Sequence, residues 1–184
     1  MNTVYLASKS PRRKELLKKV IKEFTAVEPR VEEAESGGMF SAKQLALHNA
    51  RIKAEYVYNL YGGIAIGADT VVELDGRLLF KPQDETEARA MLKSLSGKTH
   101  RVITGVCVKG KTTHEAAVTS YVTFNDLSDE FIENYIKSGS PFDKAGGYGI
   151  QDSEKFCKKL AGSKSNVIGL PVRTVKRLLK LCGC

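Results

Sequence analysis

Three segments of this sequence combine residue types suited to work on a phosphorylated ligand. In the first, Leu6-Ala7-Ser8-Lys9-Ser10-Pro11-Arg12-Arg13, Ser10 is a natural helix N-cap and Pro11 suits the first helical position. Arg12 and Arg13 then fall in the first turn, where the helix dipole disfavours cations. An anion held between guanidinium groups and free backbone N–H groups would reverse that cost, and phosphate fits. Two solvated arginines are the alternative on this segment alone. The second segment, Ile66-Gly67-Ala68-Asp69-Thr70-Val71-Val72, places a carboxylate at the expected end of an apolar strand. There Asp69 is suited to hold a divalent cation or to take a proton from an attacking water, although such a residue also serves in ordinary turns. Lys81 follows another apolar run and is placed to reach the same cleft as a phosphate partner, or to face solvent. The third segment runs from Pro141 through Gly146, Gly147 and Gly149 to Gln151. So many glycines are costly unless backbone must approach something closely. Gln151 carries both a donor and an acceptor, which suits reading the edge of a base; a purely structural loop is the competing account.

Two further groups bear on these segments. Glu32 and Glu33 lie in a polar loop and offer a second metal carboxylate; Mg²⁺ takes only one or two carboxylates beside waters and substrate phosphates. Asn49 and Lys53 stand one helical turn apart and can address one ligand. The sequence contains no P-loop, no dinucleotide fingerprint and no H-E-x-x-H, and its three histidines are scattered, which disfavours histidine-centred catalysis.

The elements that must position these residues can be read from periodicity and punctuation. A short buried strand is expected over 4–7 and a helix from Ser10-Pro11 through Leu17. A second strand is expected over 24–27, and a polar loop over 29–38. Ser41-x-x-Gln44 is a capping box opening a long helix to about Tyr61, where Gly62-Gly63 stops it. Apolar strands are expected over 64–68, ending at Asp69, and over 71–74, the latter pairing with 77–80 around Asp75-Gly76. Asp84-x-x-Glu87 starts a helix. A hairpin is expected from 102–108 and 116–124, then a helix capped by Ser128 and a last one from Pro171 to Leu181. Strands and helices alternate with hairpins among the crossovers. The expected fold is therefore α/β: a mixed, twisted sheet with flanking helices.

The 184 residues suit a single domain, 1–184, with 42% hydrophobic and 27% charged residues. No apolar run is long enough for a membrane span, and the N-terminus is charged too early for a signal peptide, so a cytoplasmic location is expected. Cys107, Cys157, Cys182 and Cys184 have no disulfide or zinc-site spacing and are expected to be reduced thiols without a role. The net charge of +8 favours polyanionic partners in general.

Taken in order, LASKSPRRKELL, GADTVVELDG, KPQDETEARAMLKSLSGKTHRVITGV, SGSPFDKAGGYGIQ and SNVIGLPV resemble the Maf family of nucleotide pyrophosphatases, from about residue 4 to residue 175. The resemblance implies two lobes around a central cleft, an inosine-triphosphatase-like fold, and hydrolysis of nucleoside triphosphates between the α- and β-phosphates with Mg²⁺ or Mn²⁺. It makes Asp69 the proton acceptor and puts Ser8, Arg13, Glu33 and Lys81 at the phosphate and metal site. In the branch acting on dTTP and UTP, Arg follows Ser-Pro, Thr follows the acidic residue, and Gln ends the glycine loop; Arg12, Thr70 and Gln151 match all three. Gln151 is then expected to favour uracil and thymine over cytosine. The sequence departs from the family pattern at Asn49, where a lysine is frequent and Lys53 stands in, at Ser140, and in the shortened Asp152-Ser153-Glu154-Lys155. A homodimer is compatible with the family; a membrane partner or stable nucleic-acid partner is not expected. Two rivals are the family's 7-methyl-GTP branch, which usually carries an aromatic residue at the position of Arg12, and a non-catalytic nucleic-acid-binding or regulatory protein. Against nucleic acid, the aromatics do not interleave with the basic residues as stacking platforms do.

Overall fold

The computed structural model describes residues 3–35 and 40–184. The polar loop expected over 29–38 is thus described to residue 35, and its remainder lies outside the described residues. The chain runs β1 (Val4–Ala7), α1 (Pro11–Lys18), β2 (Thr25–Val27), α2 (Ala42–Tyr61), β3 (Ile64–Leu74), β4 (Arg77–Leu79), α3 (Glu85–Leu95), β5 (Thr99–Lys109), β6 (Thr113–Phe124), α4 (Asp129–Lys137), β7 (Cys157–Ala161), α5 (Lys164–Ile168) and α6 (Val172–Leu181), with two short 3₁₀ turns between α4 and β7. The seven strands form one sheet in the order β2-β1-β3-β5-β6-β7, with β4 beside β3. β1 pairs in parallel with β2 and β3, and the other pairs are antiparallel, so the expected mixed sheet with flanking helices is present.

Local chemistry explains the helix starts. Ser10 accepts from the Arg13 backbone N–H, and Ser41 and Gln44 close the capping box in both directions. Asp84 and Ser128 cap α3 and α4 in the same way. The expected strands 64–68 and 71–74 are one continuous 11-residue strand, so Asp69 lies in mid-strand rather than at a strand end. Polar residues interrupt the apolar run because of where β3 runs, not because it stops.

Successive residues of β3 point to opposite faces. On one face Ile64, Ile66 and Ala68 join β1, α1 and α6 in one core, while Val72 and Leu74 join α3, α4 and the glycine-rich segment in another. Val106 and Val108 of β5 fall in the first core, and Val102 in the second. Between the two cores the stripe is broken by Thr70 and Thr104, registered opposite each other with hydroxyl oxygens 3.0 Å apart. That break is the boundary between two lobes. On the opposite face α2 lies close to the sheet: a Cβ at Gly67 would stand 2.0 Å from the Ala50 carbonyl oxygen, and one at Gly105 2.3 Å from that of Ala46. Glycine at both positions is what lets the helix sit low enough for its side chains to reach Asp69, which is registered opposite Gly105.

The second core contains a buried histidine. His100 Nε2 lies 2.7 Å from the Tyr148 hydroxyl, its ring packs edge-on against Phe124 and Tyr148, and Nδ1 has no partner among the described residues. Burial pushes its pKa down to about 4 from the ordinary 6.5. The neutral ring is thus favoured in the folded state, and stability is full above about pH 6.5 and lost as the pH falls toward 4. The loss amounts to about 3 kcal/mol over that window. Urea unfolding of wild type and His100→Gln across pH 4–7 checks this. The variant's slope should flatten by that amount, and parallel slopes would remove His100 from the acid response.

All four cysteines are free. No described helix is long and apolar enough to cross a membrane.

Candidate active site

The two lobes enclose a cleft of about 750 Å³. Its floor is the middle of β3, and its walls are the start of α1, the loop around Glu33, the segment after β4 and the glycine-rich segment. Ser8, Arg12, Arg13, Glu33, Lys53, Asp69, Thr70, Lys81 and Gln151 all line it, and Asn49 joins them; Glu32 does not. Residues separated by up to 143 positions are thus brought together.

At the centre is an ion triad built on a buried lysine. Lys53 Nζ, on a side chain only 6% exposed, donates to Asp69 Oδ1 at 2.8 Å and to Glu33 Oε2 at 2.7 Å. Asn49 Nδ2 donates to Asp69 Oδ2 at 3.3 Å and to the Ala34 carbonyl at 3.1 Å, while its own oxygen accepts from the Ala34 N–H at 2.9 Å. Asn49 therefore pins the Glu33 loop to α2, and the ammonium beside Asp69 belongs to Lys53. Burial works against a charged Glu33, but Lys53 and Lys81 outweigh it and hold the carboxylate below its usual range. Both oxygens of Asp69 retain lone pairs toward the cleft, since each accepts one bond.

The two arginines expected to flank one anion diverge. Arg13 turns inward: Nε donates to the Gly169 carbonyl at 2.9 Å and Nη2 to Thr70 Oγ1 at 3.2 Å. Burial lowers its pKa, countered by Asp69 and Glu33. Arg12 reaches across to the glycine-rich segment, where Nη1 donates to Asp143 Oδ2 at 2.6 Å and Nη2 to the Asp143 carbonyl at 3.3 Å. Ser8 is buried, and its hydroxyl accepts from the Ser10 N–H at 3.2 Å. Lys81 lies exposed just beyond β4, at the cleft wall.

Two residues escaped the sequence reading. Thr104 carries the arginine-bearing face onward, donating to the Asn166 carbonyl at 3.0 Å, and the buried Asn166 donates to the Val102 carbonyl and Ser120 Oγ. A polar residue alternating with valines and isoleucines in β5 is the one signal that could have marked Thr104.

Two carboxylates whose oxygens converge on one cationic nitrogen form a donor set of the kind Mg²⁺ or Mn²⁺ accepts, with remaining positions left to water and phosphate. Among the described residues no group of three or more His, Cys, Asp or Glu side chains could enclose a metal.

Comparison with known proteins places this geometry in a family. The chain is 47% identical over 179 residues to a dTTP/UTP pyrophosphatase of Thermococcus gammatolerans, covering 96% of this chain and 95% of that one. It is 44% identical over 188 residues to a dTTP/UTP pyrophosphatase of Bacillus cereus, covering 98% and 95%. Among solved structures, a HAM1 protein from Coxiella burnetii superposes with a TM-score of 0.54 at 12% identity, over 98% of this chain and 100% of that one. That likeness matches the inosine-triphosphatase-like fold expected above. Residues 3–182 match the family described as Maf-like protein, and the chain belongs to it.

Proposed function

We propose that this protein hydrolyses dTTP and UTP to the monophosphate and pyrophosphate, as one domain. The observation that carries the reading is the convergence of Arg13, Lys53 and Lys81 with Asp69 and Glu33 in one cleft, in a chain whose relatives are named dTTP/UTP pyrophosphatases.

In this mechanism a water attacks the α-phosphorus, the bond from that phosphorus to the bridging oxygen breaks, and pyrophosphate leaves. Asp69 takes the water's proton. Lys53 and Asn49 hold the carboxylate in place, leaving a lone pair on each oxygen free for the task. Arg13 has guanidinium N–H groups beyond the two engaged with Gly169 and Thr70, and these bind phosphate oxygens; Lys81 and the α1 N-terminus add positive potential. Ser8 bonds a phosphate oxygen. Thr70 orients Arg13, while Arg12, tied to Asp143, holds the glycine-rich segment and Gln151 over the base. Glu33 and Asp69 would hold Mg²⁺ or Mn²⁺, which when bound neutralises phosphate charge and polarises water. Every group in this scheme comes from one chain, and a homodimer would bring two such sites together. The partner is a free nucleotide in the cytoplasm rather than nucleic acid or membrane.

The test is a nucleotide panel with pyrophosphate detection, with and without Mg²⁺. UTP and dTTP should be turned over best; preference for 7-methyl-GTP, or tight salt-dependent DNA binding without turnover, would overturn the reading. In the same assay Arg13→Ala should raise KM and lower kcat, since a charge-assisted contact in a partly dry site is worth about 1.5–3 kcal/mol.

A further inference from the structure

Behind Gln151 lies a network that the mechanism above does not use. Gln151 Nε2 donates to Asp152 Oδ1 at 2.7 Å. The other oxygen, Asp152 Oδ2, accepts from the Tyr135 hydroxyl at 2.6 Å and lies 3.4 Å from Lys144 Nζ. Tyr135 in turn accepts from the Gly149 backbone N–H at 3.1 Å, so the hydroxyl's proton is committed to Asp152. Burial and the bond to Asp152 raise the Tyr135 pKa, which keeps that proton in place. Lys144 is itself fixed by the Ser140 carbonyl at 2.6 Å and by Asp143 at 2.7 Å. Asp152 is thus a rigid acceptor, and what it accepts from Gln151 has only one sense. Turning the amide over would set Gln151 Oε1 against Asp152 Oδ1, two acceptors with no proton between them.

We propose that Asp152 is a positioning residue for base selection, which fixes the amide of Gln151 so that its oxygen meets the base. The inference rests on the assignment of the cleft to pyrimidine nucleotides. With Nε2 held by Asp152, a ligand in the cleft meets Oε1 and the second amide N–H. That pair matches the N3–H and a neighbouring carbonyl of uracil or thymine. Cytosine offers an unprotonated N3 and an amino group, the opposite pattern, and the amide turn needed to match it is the one Asp152 forbids. Gly149 makes the arrangement possible: a Cβ there would stand 2.3 Å from Gln151 Nε2 and 2.7 Å from Asp152 Oδ2.

The decisive variant is Asp152→Asn, which keeps the shape. Tyr135 and Lys144 both lie at the Oδ2 side, so the new carbonyl oxygen stays there and the new NH₂ faces Gln151. Gln151 then turns its oxygen to Asn and its own NH₂ to the base. The UTP-to-CTP ratio of kcat/KM should fall about tenfold or more, with part of the change a gain on CTP, which mere loosening of the loop would not produce. Gly149→Ala should lower the same ratio by displacing the amide without removing the carboxylate. In a Gln151→Ala background Asp152→Asn should leave the ratio unchanged. Thermal melts check that each variant is folded. A wild-type preference for UTP that survives both Asp152→Asn and Gly149→Ala would overturn this proposal alone. A wild type that does not distinguish UTP from CTP would overturn the base reading beneath it.

Discussion

Asp69→Asn is expected to lower kcat by about a thousandfold while leaving the fold intact. A positioned general base contributes roughly 10²- to 10⁴-fold, and the substitution also weakens the metal donor set, which keeps the loss away from the lower end of that range. The structure should tolerate the change. Lys53 keeps Glu33 at 2.7 Å, and an amide at 69 can still accept from the ammonium, so no buried charge is stranded. Pyrophosphate release measured beside a thermal melt separates the two effects. Near-normal turnover in a folded variant would remove Asp69 from the mechanism and leave Glu33 as the carboxylate to examine.

Lys53→Met is expected to lower stability more than it changes the shape of the cleft. It removes the cation at which the Glu33 and Asp69 carboxylates converge, in a part of the cleft where the Asp69 side chain is only 13% exposed. Breaking a buried pair by deleting one partner costs 3–5 kcal/mol; because Glu33 remains 45% exposed, about 3 kcal/mol is the expected loss. The same deletion leaves two anionic side chains for Mg²⁺ or Mn²⁺ without a competing ammonium. Added metal should therefore raise the melting temperature of the variant more than that of the wild type. Chemical unfolding with and without Mn²⁺ reads both effects. A variant as stable as wild type would mean that the carboxylates find other partners, and equal metal responses would argue against this pair as the metal site.

Much of this architecture was legible in the residues, for reasons that can be traced. The ends of α2 followed from the Ser41–Gln44 box and from Gly62, because capping depends on neighbours within a turn. Ser8, Arg13, Glu33, Lys53, Asp69, Lys81 and Gln151 line one cleft, a long-range proximity that spacing alone cannot supply. Three features were not legible. The break expected at Asp69-Thr70 is a change of surroundings along one strand, invisible until β1 and β4 are in place. Arg12 stands beside Arg13 in the sequence as if to share its phosphate, but its partner Asp143 lies 131 positions away. β7 and α5 were missed because Cys157–Ala161 carries two exposed lysines, as edge strands often do, and α5 is only five residues long, too short for a helical period to show.

The unbroken course of β3 has a consequence for how far the cleft can be dissected by mutation. β1 accompanies β3 as far as Gly67, and β4 joins the same edge only at Val72. Among the described residues no strand pairs with that edge between those points, so the alternate residues of this stretch whose N–H and C=O groups do not bond β5 turn unpaired main-chain donors and acceptors to that edge. Such groups belong to every amino acid alike. A complete alanine scan of the cleft would leave them all in place, and drift in the gene cannot erase them. Any hydrogen bond they give a ligand is inherited with the strand's path rather than with its side chains. Reaching it takes a change to the backbone itself, such as an ester replacing one amide.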